Sequence, residues 1–125
     1  MGEMEQKVCL DTDVCIEIVN ESPKGKGIIN SILDKEIFVS SITVSELYLR
    51  ETNLGKINEL LVDFNILPFG IITAKEASVI SKSLKKKGLL IEFRDIFIAA
   101  TCIENKCSLV TLNKKHFERI KGLDI

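Results

Sequence analysis

The chain has 125 residues, 46% of them hydrophobic, and 17 basic side chains nearly balance 18 acidic ones to give a formal net charge of −1. This length and composition predict one globular domain over residues 1–125 that buries its own core, and they exclude a disordered chain. The balanced charge means that any basic surface for a nucleic acid must be local, and no apolar run is long enough to cross a membrane.

Short apolar runs alternate with stretches of helical spacing along the whole chain, which predicts strands separated by helices. In order, the predicted elements are strand 8–10, a helix capped by Asp13, a loop over 21–27, a helix ending near Lys35, strand 37–40, a helix opened by a capping box from Thr43 to Glu46, helix 56–64, edge strand 65–68, a helix opened by a capping box from Thr73 to Glu76, helix 95–105, strand 108–111, helix 114–120 and a last strand 123–125. This alternation predicts an α/β fold with three layers, α/β/α, around a short, mostly parallel central sheet.

The four cysteines follow no spacing typical of a zinc site. Cys9, Cys15, Cys102 and Cys107 stand mostly in apolar surroundings, where cysteine behaves as a small hydrophobic residue. They are predicted to be reduced core residues. Since residues 1–7 lack the apolar segment of a signal peptide, a cytoplasmic location is expected.

Polar side chains stand at the ends of several predicted elements. Asp11 directly follows the first strand, and Glu46 lies one turn into the helix after the second. Asp95 begins the helix that leads into strand 108–111, and Asn113 follows that strand. Ligands of parallel α/β sheets bind beyond the carboxyl ends of the strands, and right-handed crossovers can bring all four residues to that edge.

Each of these residue types also has a purely structural interpretation. Glu46 could serve only its capping box, as Glu76 is expected to do in the later helix. Asp13 is interpreted as a helix cap and not as a ligand. His116, the single histidine, is interpreted as a surface or partly packed residue. Asp11 has the strongest functional interpretation, because a carboxylate that closes a buried strand is costly without a partner.

Four segments in register resemble a PIN domain and, more narrowly, the VapC-type ribonuclease toxins of prokaryotic toxin–antitoxin pairs. The segments are LDTDV at 10–14, SELY at 45–48, RDIFIAA at 94–100 and VTLNKKHFERIKGL at 110–123. The resemblance implies an endoribonuclease that depends on Mg²⁺ or Mn²⁺. The family's acidic positions fall on Asp11, Glu46 and Asp95, and its fourth position falls on Asn113.

The resemblance also implies a supporting residue, and the chain departs from the family pattern at one position. Thr111 matches a hydroxyl residue that often lines the family's site. The family often has an acid immediately before the phenylalanine where this chain has His116. Three carboxylates offset one divalent ion with charge to spare but do not neutralise two, so one tightly held ion is expected.

The same resemblance implies an RNA substrate, a small inhibitory antitoxin and a homodimer. Arg94, Lys114 and Lys115 are candidate phosphate contacts, and Tyr48 and Phe64 are candidate interface residues. Two alternatives remain open from the sequence. One is a PIN-like module that binds without cleaving, and the other is a receiver-like signalling domain, although residues 66–70 lack the phosphoacceptor aspartate that such a domain needs.

Overall fold

The structure is a computed structural model that describes residues 6–51 and 53–125. In chain order its elements are β1 (Lys7–Leu10), α1 (Thr12–Val19), α2 (Pro23–Ile32), β2 (Glu36–Ser40), α3 (Ser41–Arg50), α4 (Leu54–Val62), β3 (Asn65–Leu67), α5 (Ile71–Lys86), α6 (Phe93–Asn105), β4 (Ser108–Val110) and α7 (Lys114–Phe117). Strands and helices alternate as the apolar pattern predicts.

The four strands form one sheet in the order β3-β2-β1-β4. Every pair is parallel, with Cys9 of β1 opposite Phe38 of β2 on one side and Leu109 of β4 on the other. The predicted parallel sheet is therefore confirmed, and β3 occupies one edge as the sequence indicates. Because β1 lies between β2 and β4, the carboxyl ends of these three strands are neighbours.

Helices cover both faces of the sheet. Successive strand residues point to opposite faces, so Val8 and Leu10 pack with α1 to α4, whereas Cys9 packs with α5, α6 and α7. The two resulting clusters of buried apolar residues confirm the three-layer α/β/α architecture. All four cysteines are buried and free, as expected from their apolar surroundings.

The N-caps of three helices differ from the predicted ones. Asp11 and not Asp13 caps α1, Ser40 caps α3 ahead of Thr43, and Gly70 precedes α5 ahead of Thr73. Each helix therefore begins two or three residues earlier than predicted, because the chain already turns at the end of the preceding strand or loop. Neither predicted capping box therefore exists.

The predicted loop over 21–27 is also wrong, because α2 begins inside it at Pro23. Ser22 caps this helix by accepting a hydrogen bond from the backbone N–H of Gly25 at 3.0 Å, and proline is well suited to the first helical turn. Gly25 lets α2 approach α1, since a Cβ at this position would stand 2.2 Å from the carbonyl oxygen of Glu17. This contact between helices is not visible in the local sequence pattern.

Three further boundaries differ from the predicted ones. Helix α4 begins at Leu54, because Asn53 caps it, and α7 ends at Phe117. Residues 123–125 do not form a strand. Gly122 turns the chain with φ +88°, and the following segment gives β4 only one backbone hydrogen bond, from the N–H of Leu109 to the carbonyl oxygen of Asp124 at 2.8 Å. No helix in the described ranges has the length and apolar character needed to span a bilayer.

Candidate active site

The carboxyl ends of β1 and β4 lie side by side. Leu10 is opposite Val110 in the sheet, and the backbone N–H of Asp11 donates to the carbonyl oxygen of Val110 at 2.9 Å, which extends the pairing by one residue. Asp11 and Thr111 are therefore the first residues beyond their strands and stand next to each other. The structure thus places these two predicted site residues together.

Asp11 is a buried carboxylate with only 7% of its surface exposed. Its Oδ1 accepts a hydrogen bond from the backbone N–H of Thr12, and its Oδ2 accepts one from the hydroxyl of Thr111, both at 2.8 Å. Burial raises the pKa of Asp11; the hydrogen bonds from Thr111 and Thr12 lower it, and the negative charges of Asp95 and Asp13 raise it further. The net shift is upward.

Glu46 lies in the second turn of α3 and is 8% exposed. Its Oε1 accepts a hydrogen bond from the hydroxyl of Thr12 at 2.7 Å, and its Oε2 lies 3.0 Å from Nη1 of Arg94. The Thr12 hydroxyl is itself 3.2 Å from that of Thr43, which is 3.3 Å from that of Ser40. A chain of buried hydroxyls thus fixes Glu46, which is too deep in α3 to be a helix cap.

Asp95 is the third residue of α6 and faces α7. Its Oδ2 lies 3.0 Å from Nε2 of His116, and the two side chains are 29% and 23% exposed. Since an ionised carboxylate can only accept, the imidazole donates in this contact. His116 is thus partly packed, as the sequence analysis interprets it, and it is in addition a partner of a candidate site acid, which the sequence did not indicate.

Asn113 is placed at the rim of the same edge. Its backbone N–H donates to the hydroxyl of Thr111 at 3.1 Å, and it precedes α7 without a side-chain cap bond. The residue is exposed, as are Lys114 and Lys115 after it. The structure thus connects Asn113 to Asp11 through Thr111 and leaves its amide at the surface.

Arg94 makes two ion pairs at the entrance of the site. Its Nη1 pairs with Glu46 and its Nη2 pairs with Glu92, each at 3.0 Å, while its side chain stays 56% exposed. The hydrogen bond to Glu92 and the charges of Glu46 and Glu92 raise the pKa of Arg94. The pair with Glu46 joins residues 48 positions apart, so no local sequence pattern indicates it.

Two other acids have no part in this arrangement. Asp13 is exposed and pairs with Arg50, at 3.1 Å between Oδ1 and Nη1, on the outside of α1 and α3. Glu76 lies in α5, on the other side of the sheet from α3. Both were expected to be structural, although neither caps a helix.

The donor set fits a hard divalent cation. Carboxylate oxygens are the preferred ligands of Mg²⁺, and each bonded oxygen of Asp11 retains a second lone pair. Glu46 already holds a cation, the guanidinium of Arg94, and a positive charge beside Asp11 would offset the effect of Asp95 on its pKa. Within residues 6–51 and 53–125, no three His, Cys, Asp or Glu side chains group closely enough to enclose an ion in the present arrangement. A metal-bound state therefore needs some side chains to turn.

An apolar groove elsewhere on the molecule has no such chemistry. It lies between α5 and α6 and has a volume of about 440 Å³. Phe69, Phe93 and Phe97 line it together with alanine, serine and lysine side chains, and its lining includes no acid. The groove is therefore not a candidate for the reaction.

Several contacts of the site were missed by sequence reasoning. Thr12 and Ser40 were given no role and Thr43 only a capping role, although Thr12 follows Asp11 within the LDTDV segment. A hydroxyl next to a buried acid is a usable signal, because such an acid needs donors. The contacts themselves join residues 31 and 34 positions apart, which no local pattern predicts.

Comparisons with known proteins show the family and the fold. The family model described as PIN domain matches residues 8–123. Ribonuclease VapC1 of Rickettsia felis is 36% identical over 81% of this chain and 75% of its own length. Ribonuclease VapC1 of Methanocaldococcus jannaschii is 36% identical over 97% of this chain and 88% of its own length.

Solved structures share the fold over nearly the whole chain. VapBC2 from Rickettsia felis, bound to a DNA fragment from its promoter, superposes with a TM-score of 0.84 at 26% identity, covering 95% of this chain and 96% of that one. DNA-bound VapBC from Salmonella typhimurium gives a TM-score of 0.84 at 27% identity, covering 98% and 97%.

Proposed function

The chain belongs to the PIN domain family and, within it, to the VapC-type ribonucleases, and from this we propose that it cleaves RNA with a divalent metal at the sheet edge carrying Asp11, Glu46 and Asp95. It is an endoribonuclease of the toxin class, as its VapC relatives and VapBC structural neighbours support. The match over residues 8–123 does not favour the receiver-like alternative.

The burial of Asp11 is the observation that carries the metal proposal. Its surroundings raise its pKa, so the anionic form is disfavoured in the metal-free protein. Nevertheless, two donors, the N–H of Thr12 and the hydroxyl of Thr111, hold both of its oxygens in place. Among the described residues, no cationic side chain pairs with Asp11. A buried carboxylate with a fixed orientation and no such partner is typical of a metal ligand.

Asp11, Glu46 and Asp95 would hold Mg²⁺ or Mn²⁺, with the amide of Asn113 at the rim of the site. Such an ion, when bound, polarises a phosphodiester and lowers the pKa of an attacking water. The protein's own contribution is orientation. Thr111 fixes Asp11, and Thr12 fixes Glu46.

His116 has the same positioning role for Asp95 on the other side of the site, through the contact of 3.0 Å between Nε2 and Oδ2. The helix that bears His116 also presents Lys114 and Lys115 to solvent. Both lysines follow Asn113 directly, so their charges would contact RNA phosphates next to the site. Arg94 is the third proposed phosphate contact, because its guanidinium is more than half exposed at the entrance.

Two protein partners are proposed beside the RNA. The VapBC structural neighbours support a small antitoxin as one of them. The second is another copy of the chain, as the resemblance to VapC toxins implies. Exposed apolar side chains are available for such contacts, among them Leu49, Val62, Ile71 and Phe93. Tyr48 is also exposed, whereas Phe64 packs against the core and is the weaker interface candidate.

Melting curves with and without metal test this proposal. A ligand that binds only the folded state stabilises it by RT ln(1 + [L]/Kd), about 2.7 kcal/mol at a hundredfold excess over Kd. Mn²⁺ or Mg²⁺ is expected to raise the Tm of the wild type to a plateau, and Asp11→Asn is expected to flatten this rise and abolish cleavage of a structured RNA.

Asp13→Asn is the matched control, because Asp13 is exposed and is engaged by Arg50 outside the site. It is expected to retain both the metal response and the cleavage. If the metal response were lost in Asp13→Asn but retained in Asp11→Asn, the metal ligand would be Asp13 and not Asp11. Absence of both metal response and cleavage in the wild type would favour the module that binds without cleaving.

A further inference from the structure

The ion pair between Arg94 and Glu46 occupies a carboxylate that the proposed metal site needs. Nη1 of Arg94 is 3.0 Å from Oε2 of Glu46, and the other oxygen of Glu46 accepts the hydrogen bond of Thr12. Both oxygens of this buried side chain are thus engaged in the metal-free protein. In this arrangement the described part of the chain holds no group of three acids close enough for an ion.

We propose that Arg94 is a built-in competitor of the divalent ion: its guanidinium occupies Glu46 in the metal-free enzyme and must leave before Glu46 can join Asp11 and Asp95. This inference rests on the proposed metal site and adds a regulation to it. The competition follows from electrostatics, because a guanidinium and a divalent cation held at the same carboxylate repel each other.

The geometry of Arg94 suits a group that exchanges partners. Its side chain is 56% exposed, whereas that of Glu46 is 11% exposed, so the arginine can move into solvent while the glutamate stays in the site. Its second partner, Glu92, is 70% exposed and lies two residues earlier at the N-cap of α6. Glu92 can therefore retain the guanidinium at the entrance after Glu46 has turned to the ion.

The chain offers a matched control for this pair. Arg50 and Asp13 form another arginine–carboxylate contact at 3.1 Å, with both side chains about half exposed. That pair lies outside the proposed site, so its removal should change the charge of the protein equally without freeing a metal ligand. The comparison of Arg94→Gln with Arg50→Gln thus separates a local competition from a change in net charge.

Titration of Mn²⁺ alone into the purified protein, followed by calorimetry, tests the proposal. Arg94→Gln is expected to bind Mn²⁺ about fivefold more tightly than the wild type, as for a competing partial ion pair. Arg50→Gln is expected to leave the Kd unchanged. Equal or weaker binding in Arg94→Gln overturns the proposal, whereas absence of Mn²⁺ binding and cleavage in the wild type removes the proposed metal site and this inference together.

A double-mutant cycle with Glu46→Gln tests whether the competition acts through Glu46. The gain from Arg94→Gln should disappear in the Glu46→Gln background, and a gain of undiminished size there would contradict the competition. A second measurement does not depend on Glu46→Gln, which could bind Mn²⁺ too weakly for a titration. In nitrogen-15 NMR spectra, Mg²⁺ at saturation should speed the exchange of the Arg94 side-chain N–H with water and leave Arg50 unaffected. An Arg94 signal that stays unchanged at saturation overturns the proposal.

Discussion

At the scale of single residues, Asp11 is a carboxyl group whose orientation is fixed by hydrogen bonds while its ionised form is disfavoured by its surroundings. Burial raises its pKa, while the bonds from Thr111 and Thr12 only partly oppose this effect. The charges of two nearby aspartates add to the cost of ionising it. The metal-free fold is therefore less stable with Asp11 ionised than it would be with a neutral group of the same shape.

Asp11→Asn is expected to be more stable than the wild type at neutral pH in the presence of EDTA. Because the folded pKa is above the ordinary value of 3.8, the stability that a protonated Asp11 gives is complete below that value and is lost as the pH rises through the folded pKa. The advantage of the variant should therefore shrink as the pH falls toward 4. Urea unfolding at several pH values measures this.

Asparagine is as good an N-cap as aspartate, so Asp11→Asn keeps the helix cap and the result reports on the charge alone. Asp13→Asn removes only the smallest of the causes that raise the pKa of Asp11, so it is expected to show a much weaker dependence on pH. If Asp11→Asn were less stable than the wild type by the same amount at every pH, Asp11 would be a structural cap and nothing more.

Glu46→Gln tests the second acid against a matched residue, Glu76. The glutamine can still accept the hydrogen bond of Thr12 but has no charge for a metal, so cleavage is expected to be lost. Stability should change by less than about 1 kcal/mol, because the pair with Arg94 is partly solvated. Glu76→Gln should alter neither property. Similar cleavage by both variants would leave Glu46 without a special role.

The site residues differ in how far the sequence could predict them. Asp11, Glu46, Asp95 and Asn113 follow from their places at element ends together with the family resemblance, and their catalytic roles stay predictions. The pair between Arg94 and Glu46 joins residues 48 positions apart, and that between His116 and Asp95 joins residues 21 apart. Such contacts depend on how the helices dock, which local propensity does not encode.

At the scale of elements, strands and helix cores were predictable but helix starts were not. The apolar runs of β1, β2, β3 and β4 are strong signals because parallel strands are buried on both faces. The start of a helix depends on which of several nearby serines, threonines and aspartates serves as its N-cap. Residues 40–46 include four hydroxyl residues, and Ser40 is the one that caps α3 because the chain turns directly at the end of β2.

Helix α2 gives the clearest example of a tertiary contact that overrides local pattern. Its glycines indicate a loop, yet Gly25 is needed where α2 meets the backbone of α1. Gly25→Ala is expected to destabilise the fold by about 1–3 kcal/mol, since its Cβ would meet the carbonyl oxygen of Glu17 and push the helices apart. Thermal or urea unfolding measures this.

Gly27→Ala is the control in the same helix. Gly27 is exposed and its Cβ would meet nothing within 4 Å. This variant is expected to be more stable than the wild type by roughly 0.5–1 kcal/mol, because alanine is the better helix former. Destabilisation of the same size in both variants would show that the close approach at Gly25 is unimportant.

At the scale of the whole molecule, the order of strands determines where the site forms. The order β3-β2-β1-β4 places the first strand of the described chain beside the last one. Residues from both halves of the sequence thus meet beyond the carboxyl ends of these strands. The family match over residues 8–123 spans the whole site, from Asp11 to Asn113.

The bond between Asp11 and Thr111 joins side chains 100 positions apart, and this has a consequence for the toxin during its own synthesis. While residues 108–113 are still inside the exit tunnel of the ribosome, β1 lacks its β4 neighbour and Asp11 lacks Thr111. Domains generally fold as units once enough chain has emerged. We therefore expect a growing toxin molecule to stay inactive until translation of the site is complete.

Stalled ribosomes can test this timing. Nascent chains arrested with β4 still in the tunnel are expected to leave a test RNA intact, and chains arrested behind a linker long enough to expose residue 125 are expected to cleave it. Cleavage by the first set would mean that the site works without its β4 side. Release of complete chains by puromycin should switch activity on. The ribosomal tunnel would then keep the toxin inactive before any antitoxin binds it.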